Sequence, residues 1–226
     1  MPQAGVSKAV RLVLFDLDGT LADTAPDLAG AVNRMRSARA IAPLPIDELR
    51  PFASHGARGL VGRAFGVTPE DPGYEELRQE FFREYESALC VQSTLFPSVA
   101  ETLAEFEATG VLWGIVTNKI ARFTQPLVQA LGLAGRAACV VSGDTTPYPK
   151  PHPAPLLHAL AATRVAASAA LYVGDDRRDV EAGRAAGVRT VVAGYGYLGD
   201  GGPYTQWGAD HIIDAPSDLV ALIQAS

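Results

Sequence analysis

Leu12-Val13-Leu14-Phe15-Asp16-Leu17-Asp18-Gly19-Thr20-Leu21-Ala22-Asp23-Thr24 (LVLFDLDGTLADT) is the stretch on which the reading of this chain turns. Four apolar residues run into two carboxylates two positions apart, and Gly-Thr follows. A continuously apolar run of this length fits a strand covered on both faces. Residues two apart in an extended segment point to the same side. Asp16 and Asp18 therefore converge, which is unfavourable unless something cationic lies between them. Magnesium, which takes oxygen ligands and keeps some of its water, is the economical cation. The plain alternative is a turn closed by Asp18, Gly19 and Thr20.

Working outward, short apolar strands alternate with amphipathic helices. The pattern predicts strands at Val10–Phe15, Val111–Val116, Cys139–Ser142, Leu171–Val173, Thr190–Ala193 and His211–Ile213. The clearest helix is PSVAETLAEFEATG: Ser98 as N-cap, Glu101 completing a capping box, Val99, Leu103 and Phe106 as inner stripe, Gly110 as stop. This βαβ rhythm implies an α/β protein with a parallel, doubly wound sheet. Roughly Pro26–Leu95 breaks the rhythm. It holds no convincing strand, and YEELRQEFFREYESAL places Leu77, Phe81 and Tyr85 four apart. The expected organisation is a core of residues 1–24 and 96–226 with a helical insert at 25–95.

The bulk numbers agree. The chain has 226 residues, is 48% hydrophobic and carries a net charge of −6, enough for one sizeable core and no footprint for nucleic acid. No apolar run approaches the roughly 18 residues of a membrane span. Residues 1–11 lack the apolar stretch of a signal peptide, so the expectation is a cytoplasmic protein. Cys90 and Cys139 read as reduced filler.

In open α/β sheets the ligand lies at the carboxyl ends of the strands, and four predicted strand ends carry polar groups. Asp16 and Asp18 follow the first. Thr117-Asn118-Lys119 follows the second, where a hydroxyl and free amides can hold a phosphate oxygen or merely cap a helix. Lys150 lies in a proline frame (TTPYPKPHP) that limits where its ammonium can go, although a lysine seen alone reads as a mobile surface residue. Asp175, Asp176 and Asp179 crowd a helix start, where Asp179 would suit the helix dipole and Asp175, at the strand end, is the better metal ligand.

DxDGT at Asp16–Thr20, Thr117 after its strand, Lys150 before proline and GDxxxD at Gly174–Asp179 occur in the order that resembles the haloacid dehalogenase superfamily. The resemblance runs essentially the whole chain. It implies a Rossmann-like parallel sheet with a helical cap inserted after the first strand. It also implies that Asp16 is a nucleophile forming an aspartyl phosphate and that Asp18 is general acid and then base. Magnesium would be held by Asp16, the Asp18 carbonyl and Asp175. Thr117 and Lys150 would neutralise phosphoryl oxygens, while Asp179 would orient this shell from behind. Gly19, Thr20 and Asn118 would border the bound phosphate. Dehalogenases need no acid two residues after the nucleophile, so Asp18 argues for phosphoryl chemistry.

Within the insert, FASHGARGLVG offers Arg58, whose guanidinium can fork a carboxylate, and His55 as a further substrate contact. Both also read as ordinary surface residues. This run, with KPHPAPLL and YGYLGDGGP, is similar to phosphoglycolate phosphatases. DPGYEELRQEFFREY, VLWGIVTNKIARFTQPLVQALGL, VGDDRRDVEAGRAAG and WGADHIIDAP are similar to the N-acetylmuramic acid 6-phosphate phosphatases of peptidoglycan recycling. The implied partner is a small phosphomonoester that also bears a carboxylate, with the protein a monomer or homodimer. A phosphosugar mutase and a catalytically silent binding protein are the other classes compatible with this scaffold. Tyr195 and Tyr197, in a Gly-rich loop, read equally as packing and as substrate contacts.

Overall fold

The computed structural model describes residues 9–199 and 202–224. Residues 1–8 of the segment read for a leader (1–11), and part of the YGYLGDGGP motif, lie outside them. Strand β1 (Leu12–Phe15) is followed by β2 (Ala22–Asp23), then by helices α1 (Ala25–Ser37), α2 (Ile46–Leu49), α3 (Gly56–Phe65) and α4 (Tyr74–Ser87), and by β3 (Thr94–Leu95). The chain then alternates: α5 (Val99–Thr109), β4 (Leu112–Val116), α6 (Ala121–Ala130), β5 (Val140–Val141), α7 (Ala154–Thr163), β6 (Ala170–Gly174), α8 (Arg177–Ala185), β7 (Arg189–Ala193), β8 (His211–Ile213) and α9 (Asp218–Gln224).

Six strands form one parallel sheet in the order β5-β4-β1-β6-β7-β8. Alternate residues of β1 enter opposite cores, as a strand's two-residue period requires. Val13 and Phe15 pack with Leu103, Phe106 and Leu127 of α5 and α6. Leu12 and Leu14 pack with Leu156 and Leu160 of α7 and Ala182 of α8. The chain lays β4 and β5 on one side of β1 and then returns to place β6 on the other. β1 therefore stands at the switch point, where the connecting loops part and leave a crevice.

The insert after β1 is helical and has its own core, with Leu28, Val32, Met35, Leu60, Val61, Phe81 and Tyr85 meeting across α1, α3 and α4. Phe81 and Tyr85 are buried as their four-residue spacing predicts, and Leu77 packs beside them at the margin. Two details differ from the sequence reading. The insert's two ends pair as an antiparallel ribbon, Ala22 against Leu95 and Asp23 against Thr94, too short to leave a periodic signal. Ser98 does not cap α5: it sits at φ 64° with no side-chain bond to the helix, so the box with Glu101 does not form. The backbone amide of Val99 donates to the Phe96 carbonyl instead. A capping box does form at α8, where Asp176 accepts from the Arg178 amide and Asp179 reaches back to the Asp176 amide.

Among the described residues no helix is long and apolar enough to cross a membrane. Both cysteines are free thiols.

Candidate active site at the carboxyl edge of the sheet

The ends of β1, β4 and β6 and the loop before α7 meet over the crevice. Asp16, Asp18, Thr117, Asn118, Lys150 and Asp179 line one cavity there. Asp175 is fully buried beside them, a carboxylate oxygen within 4.8 Å of Asp16 and Asp179.

Lys150 is the electrostatic centre. Its Nζ lies 3.1 Å from Oδ2 of Asp16 and 2.7 Å from Oδ1 of Asp179, and it donates to the Tyr172 hydroxyl at 2.7 Å. The Tyr172 hydroxyl lies within hydrogen-bond distance of both Asp179 (2.9 Å) and the Val116 carbonyl (3.0 Å). Burial alone would push the lysine's pKa down, but Asp16 and Asp179 outweigh it and hold it above the usual value. The lysine's backbone is fixed as well. Asn118 donates from Nδ2 to the Lys150 carbonyl and accepts at Oδ1 from the Lys150 amide, both at 2.9 Å. The Asn118 side chain, expected to border the phosphate, is thus spent on holding Lys150.

Asp16, Asp175 and Asp179 each offer an oxygen within 4.8 Å of the others. Burial, the charge of Asp179 and that of Asp18 outweigh Lys150 and raise the Asp16 carboxyl to about 6. Burial, then Asp16 and Asp179, drives Asp175 well above the ordinary carboxylate range. Three acids around one ammonium leave a buried excess of negative charge, and the donors are all oxygen. That set fits a hard divalent cation. Both Asp179 oxygens are already engaged, Oδ1 by Lys150 and Tyr172 and Oδ2 by the Asp176 amide. Asp179 thus ties Lys150, Tyr172 and the start of α8 to the acid cluster.

Gly19 and Thr20 do not face the cavity. Thr20, fully buried, donates its hydroxyl to Oδ1 of Asp175 at 3.0 Å. Gly19 turns at φ 81°, and a Cβ there would fall 2.1 Å from Oδ2 of Asp175. Both residues hold the acid cluster in place where contact with the substrate was expected. Thr117, nearly fully buried, accepts from the Lys119 amide at 3.2 Å.

The Asp18 carboxylate stands apart from the acid cluster. Its Oδ1 accepts from the Thr24 hydroxyl at 2.5 Å and from Lys119 Nζ at 3.0 Å. Lys119 also lies over the Tyr85 ring, 4.8 Å from its centre. Burial disfavours its charge, but Asp18 outweighs that and raises its pKa. Lys119 was not singled out from sequence, although it adjoins Asn118 in the same strand-end motif.

The insert closes the top. Ser54 donates its hydroxyl to Oδ2 of Asp175 across 3.4 Å, and its carbonyl accepts from Arg178 at 2.8 Å. Arg178 in turn forks Asp176, Nε to Oδ1 at 2.9 Å and Nη2 to Oδ2 at 2.8 Å. His55 Nε2 lies 3.8 Å from Asp176 Oδ2 and lines the cavity. Arg58 does not. It is exposed and lines a neighbouring cavity, of which His55 and Arg178 form the shared wall. His55 and Arg58, three apart, share one side of the helix start, and Arg58, most of a turn farther along α3, reaches only the outer cavity that His55 also lines. Ser54 and Arg178 escaped the sequence reading because their partners are 121 and 124 residues away.

Tyr197 is structural. Its amide donates to Asp175 Oδ2 at 2.9 Å, while its hydroxyl accepts from the Thr24 and Ala25 amides at 2.7 and 2.9 Å and donates to Asp23 at 2.9 Å. Arg50 pairs with the same aspartate at 2.6 Å. Tyr195 bonds the Thr20 carbonyl at 3.0 Å. Both tyrosines brace the DxDGT turn and the root of the insert.

A family model described as haloacid dehalogenase-like hydrolase matches residues 13–193. The N-acetylmuramic acid 6-phosphate phosphatase of Pseudomonas putida is 42% identical over 217 residues, covering 96% of this chain and 97% of that protein. A phosphoglycolate phosphatase of Xanthomonas campestris pv. campestris is 44% identical over 210 residues, 92% of this chain and 94% of that protein. The crystal structure of a predicted phosphoglycolate phosphatase from Haemophilus somnus superposes with a TM-score of 0.83 at 30% identity, over 94% of this chain and 97% of that one.

Proposed function

The chain belongs to the haloacid dehalogenase-like hydrolases and is a phosphoric monoester hydrolase, and from that premise we propose that it is a magnesium-dependent, cytoplasmic phosphatase of N-acetylmuramic acid 6-phosphate. The observation that carries the chemistry is Lys150, buried between Asp16 and Asp179 and lining a cavity that Asp18 and Thr117 also line.

Asp16 attacks phosphorus. The bond to the ester oxygen breaks, and Asp18 gives its proton to that oxygen so that a neutral alcohol leaves. Water then attacks the aspartyl phosphate, passes a proton back to Asp18 and releases phosphate and the Asp16 carboxylate. Lys150 and the Thr117 hydroxyl meet the charge spread over the phosphoryl oxygens. A magnesium ion held by Asp16, Asp175 and the Asp18 carbonyl would supply the further charge neutralisation that lets one anion approach another. The insert, residues 25–95, acts as a lid whose Ser54 seals the site against bulk water between the two steps.

The substrate rests on the Pseudomonas putida relative, 42% identical over 96% of this chain. Phosphoglycolate is the second reading, favoured by the relative of 44% identity. The test is phosphate release with Mg²⁺ from N-acetylmuramic acid 6-phosphate, phosphoglycolate and glucose 6-phosphate, compared by kcat/KM. A tenfold preference, about 1.4 kcal/mol of differential transition-state binding, decides between them. Asp16→Asn is expected to abolish turnover on every ester. Undiminished turnover would remove Asp16 as nucleophile.

A further inference from the structure

The cavity has two chemically distinct ends. One is the charged end described above. The other is a wall of Leu28, Phe81, Phe82, Tyr85, Ile120 and Phe123, contributed by α1 and α4 of the insert and by the segment from Ile120 into α6. The rings are locked together. Phe82 lies 5.2 Å from Phe123, Phe123 meets Tyr85 edge-on at 5.3 Å, and Phe81 stacks on Tyr85 at 6.1 Å. Leu28, Phe81, Tyr85 and Phe123 are almost completely buried in the insert's core, so the wall is a fixed surface. Phe82 is only half-buried.

The cations facing the cavity are committed. Lys119 is paired with Asp18, Lys150 with Asp16 and Asp179, and Arg178 with Asp176. With a phosphoryl group beside Asp16 and Lys150, what the ester oxygen carries shares the cavity with the wall, whose Tyr85 ring lies 4.8 Å from the Lys119 ammonium that bonds Asp18. A carboxylate one carbon from the ester oxygen would be pressed against aromatic and aliphatic carbon with no uncommitted cation beside it, and desolvating a charge without a partner is costly. A methyl or other apolar substituent there gains burial and loses nothing. A carboxylate is tolerable only farther out, past His55, where Arg58 lines the adjoining cavity.

We propose that the wall selects the alcohol. It accepts a leaving group of sugar size that presents an apolar substituent to Phe82 and its neighbours, and it rejects compact acids such as glycolate. This inference rests on the phosphatase reading above and extends it to the substrate class.

The first measurement uses the unaltered protein with Mg²⁺: kcat/KM for N-acetylglucosamine 6-phosphate, glucose 6-phosphate and phosphoglycolate. The acetamido sugar should lead glucose 6-phosphate by at least fivefold and phosphoglycolate by at least tenfold. The second uses Phe82→Ala and Phe82→Leu. The alanine variant should lower the kcat/KM ratio of acetamido sugar to phosphoglycolate about tenfold, and leucine, which keeps apolar volume, should restore most of it. Phosphate release with phosphoglycolate leading in the unaltered protein, or an unchanged ratio in a folded Phe82→Ala, overturns the selection by the wall while the phosphatase reading stands. No phosphate release from any ester overturns both. If Phe82→Ala does not fold, the substrate ranking of the unaltered protein decides alone.

Discussion

Lys119 Nζ lies 3.0 Å from Oδ1 of Asp18, and the two are joined across 101 residues of chain. The ammonium is almost fully buried and shares its surroundings with the Tyr85 ring of the insert. It therefore anchors the proposed acid–base carboxylate apart from the cluster of Asp16, Asp175 and Asp179. An ammonium on a flexible stem is stable in such a place only while the carboxylate is ionised and adjacent.

Replacing it is expected to disturb the proton-transfer residue without touching the nucleophile. Lys119→Met should reduce kcat on the order of 10²-fold, within the range that a positioned acid–base group contributes, with a much smaller change in KM. Lys119→Arg should recover part of the loss. A methionine variant with unaltered kcat would mean that Thr24 suffices to orient Asp18 without Lys119.

Asp16 titrates near 6 in the folded protein, against 3.8 for an ordinary aspartate, because burial disfavours its charge more than Lys150 favours it. The folded state therefore holds this proton more tightly than the unfolded chain does. The resulting stability is full below about pH 3.8 and is lost as the pH rises through about 6, a difference of about 3 kcal/mol. A divalent cation must compete with that proton. Mg²⁺ should raise Tm clearly at pH 8 and little at pH 5, as followed by thermal unfolding across that range. An equal rise at both would place the ion elsewhere than at Asp16.

The Tyr197 hydroxyl satisfies two backbone amides at the start of α1 and donates to Asp23. Tyr197→Phe leaves the amides of Thr24 and Ala25 without that acceptor in a buried setting. Each buried orphan costs about 1–3 kcal/mol, and unfolding in urea should show a loss of at least about 2 kcal/mol. A smaller loss would mean that water replaces the hydroxyl.

Arg58 lines the adjoining cavity and not the one that holds Asp16 and Lys150. Arg58→Ala is expected to lower kcat/KM for N-acetylmuramic acid 6-phosphate by roughly tenfold or more, the scale of a charge-assisted hydrogen bond. N-acetylglucosamine 6-phosphate, which lacks the carboxylate, should change far less. Equal losses on both sugars would make the arginine's contribution structural.

Much of this was legible along the chain because its physical causes are local. A buried parallel strand must be apolar almost throughout, so Leu12–Phe15 and Ala170–Gly174 are visible as runs, and the chemistry at such a sheet's carboxyl edge follows them directly as Asp16, Asp18 and Asp175. The helical insert was legible from the spacing of Leu77, Phe81 and Tyr85. Ser98 misled because a cap depends on backbone dihedrals as well as residue type: at φ 64° its hydroxyl never reaches the helix amides.

The amino-acid sequence by itself determined the layered fold, the identity of the acids and the order in which they appear. Tertiary structure alone decided which groups complete them. Lys119 on Asp18, Ser54 on Asp175, Asn118 around Lys150 and Tyr172 behind Asp179 are pairings between elements that no periodicity records. It also decided that Arg58 belongs to the outer cavity and that an aromatic wall lines the same cavity as Asp16 and Lys150. The physical reason is that residue spacing sets which face of a helix or strand a side chain occupies, while the neighbour it meets is set by how separate elements pack.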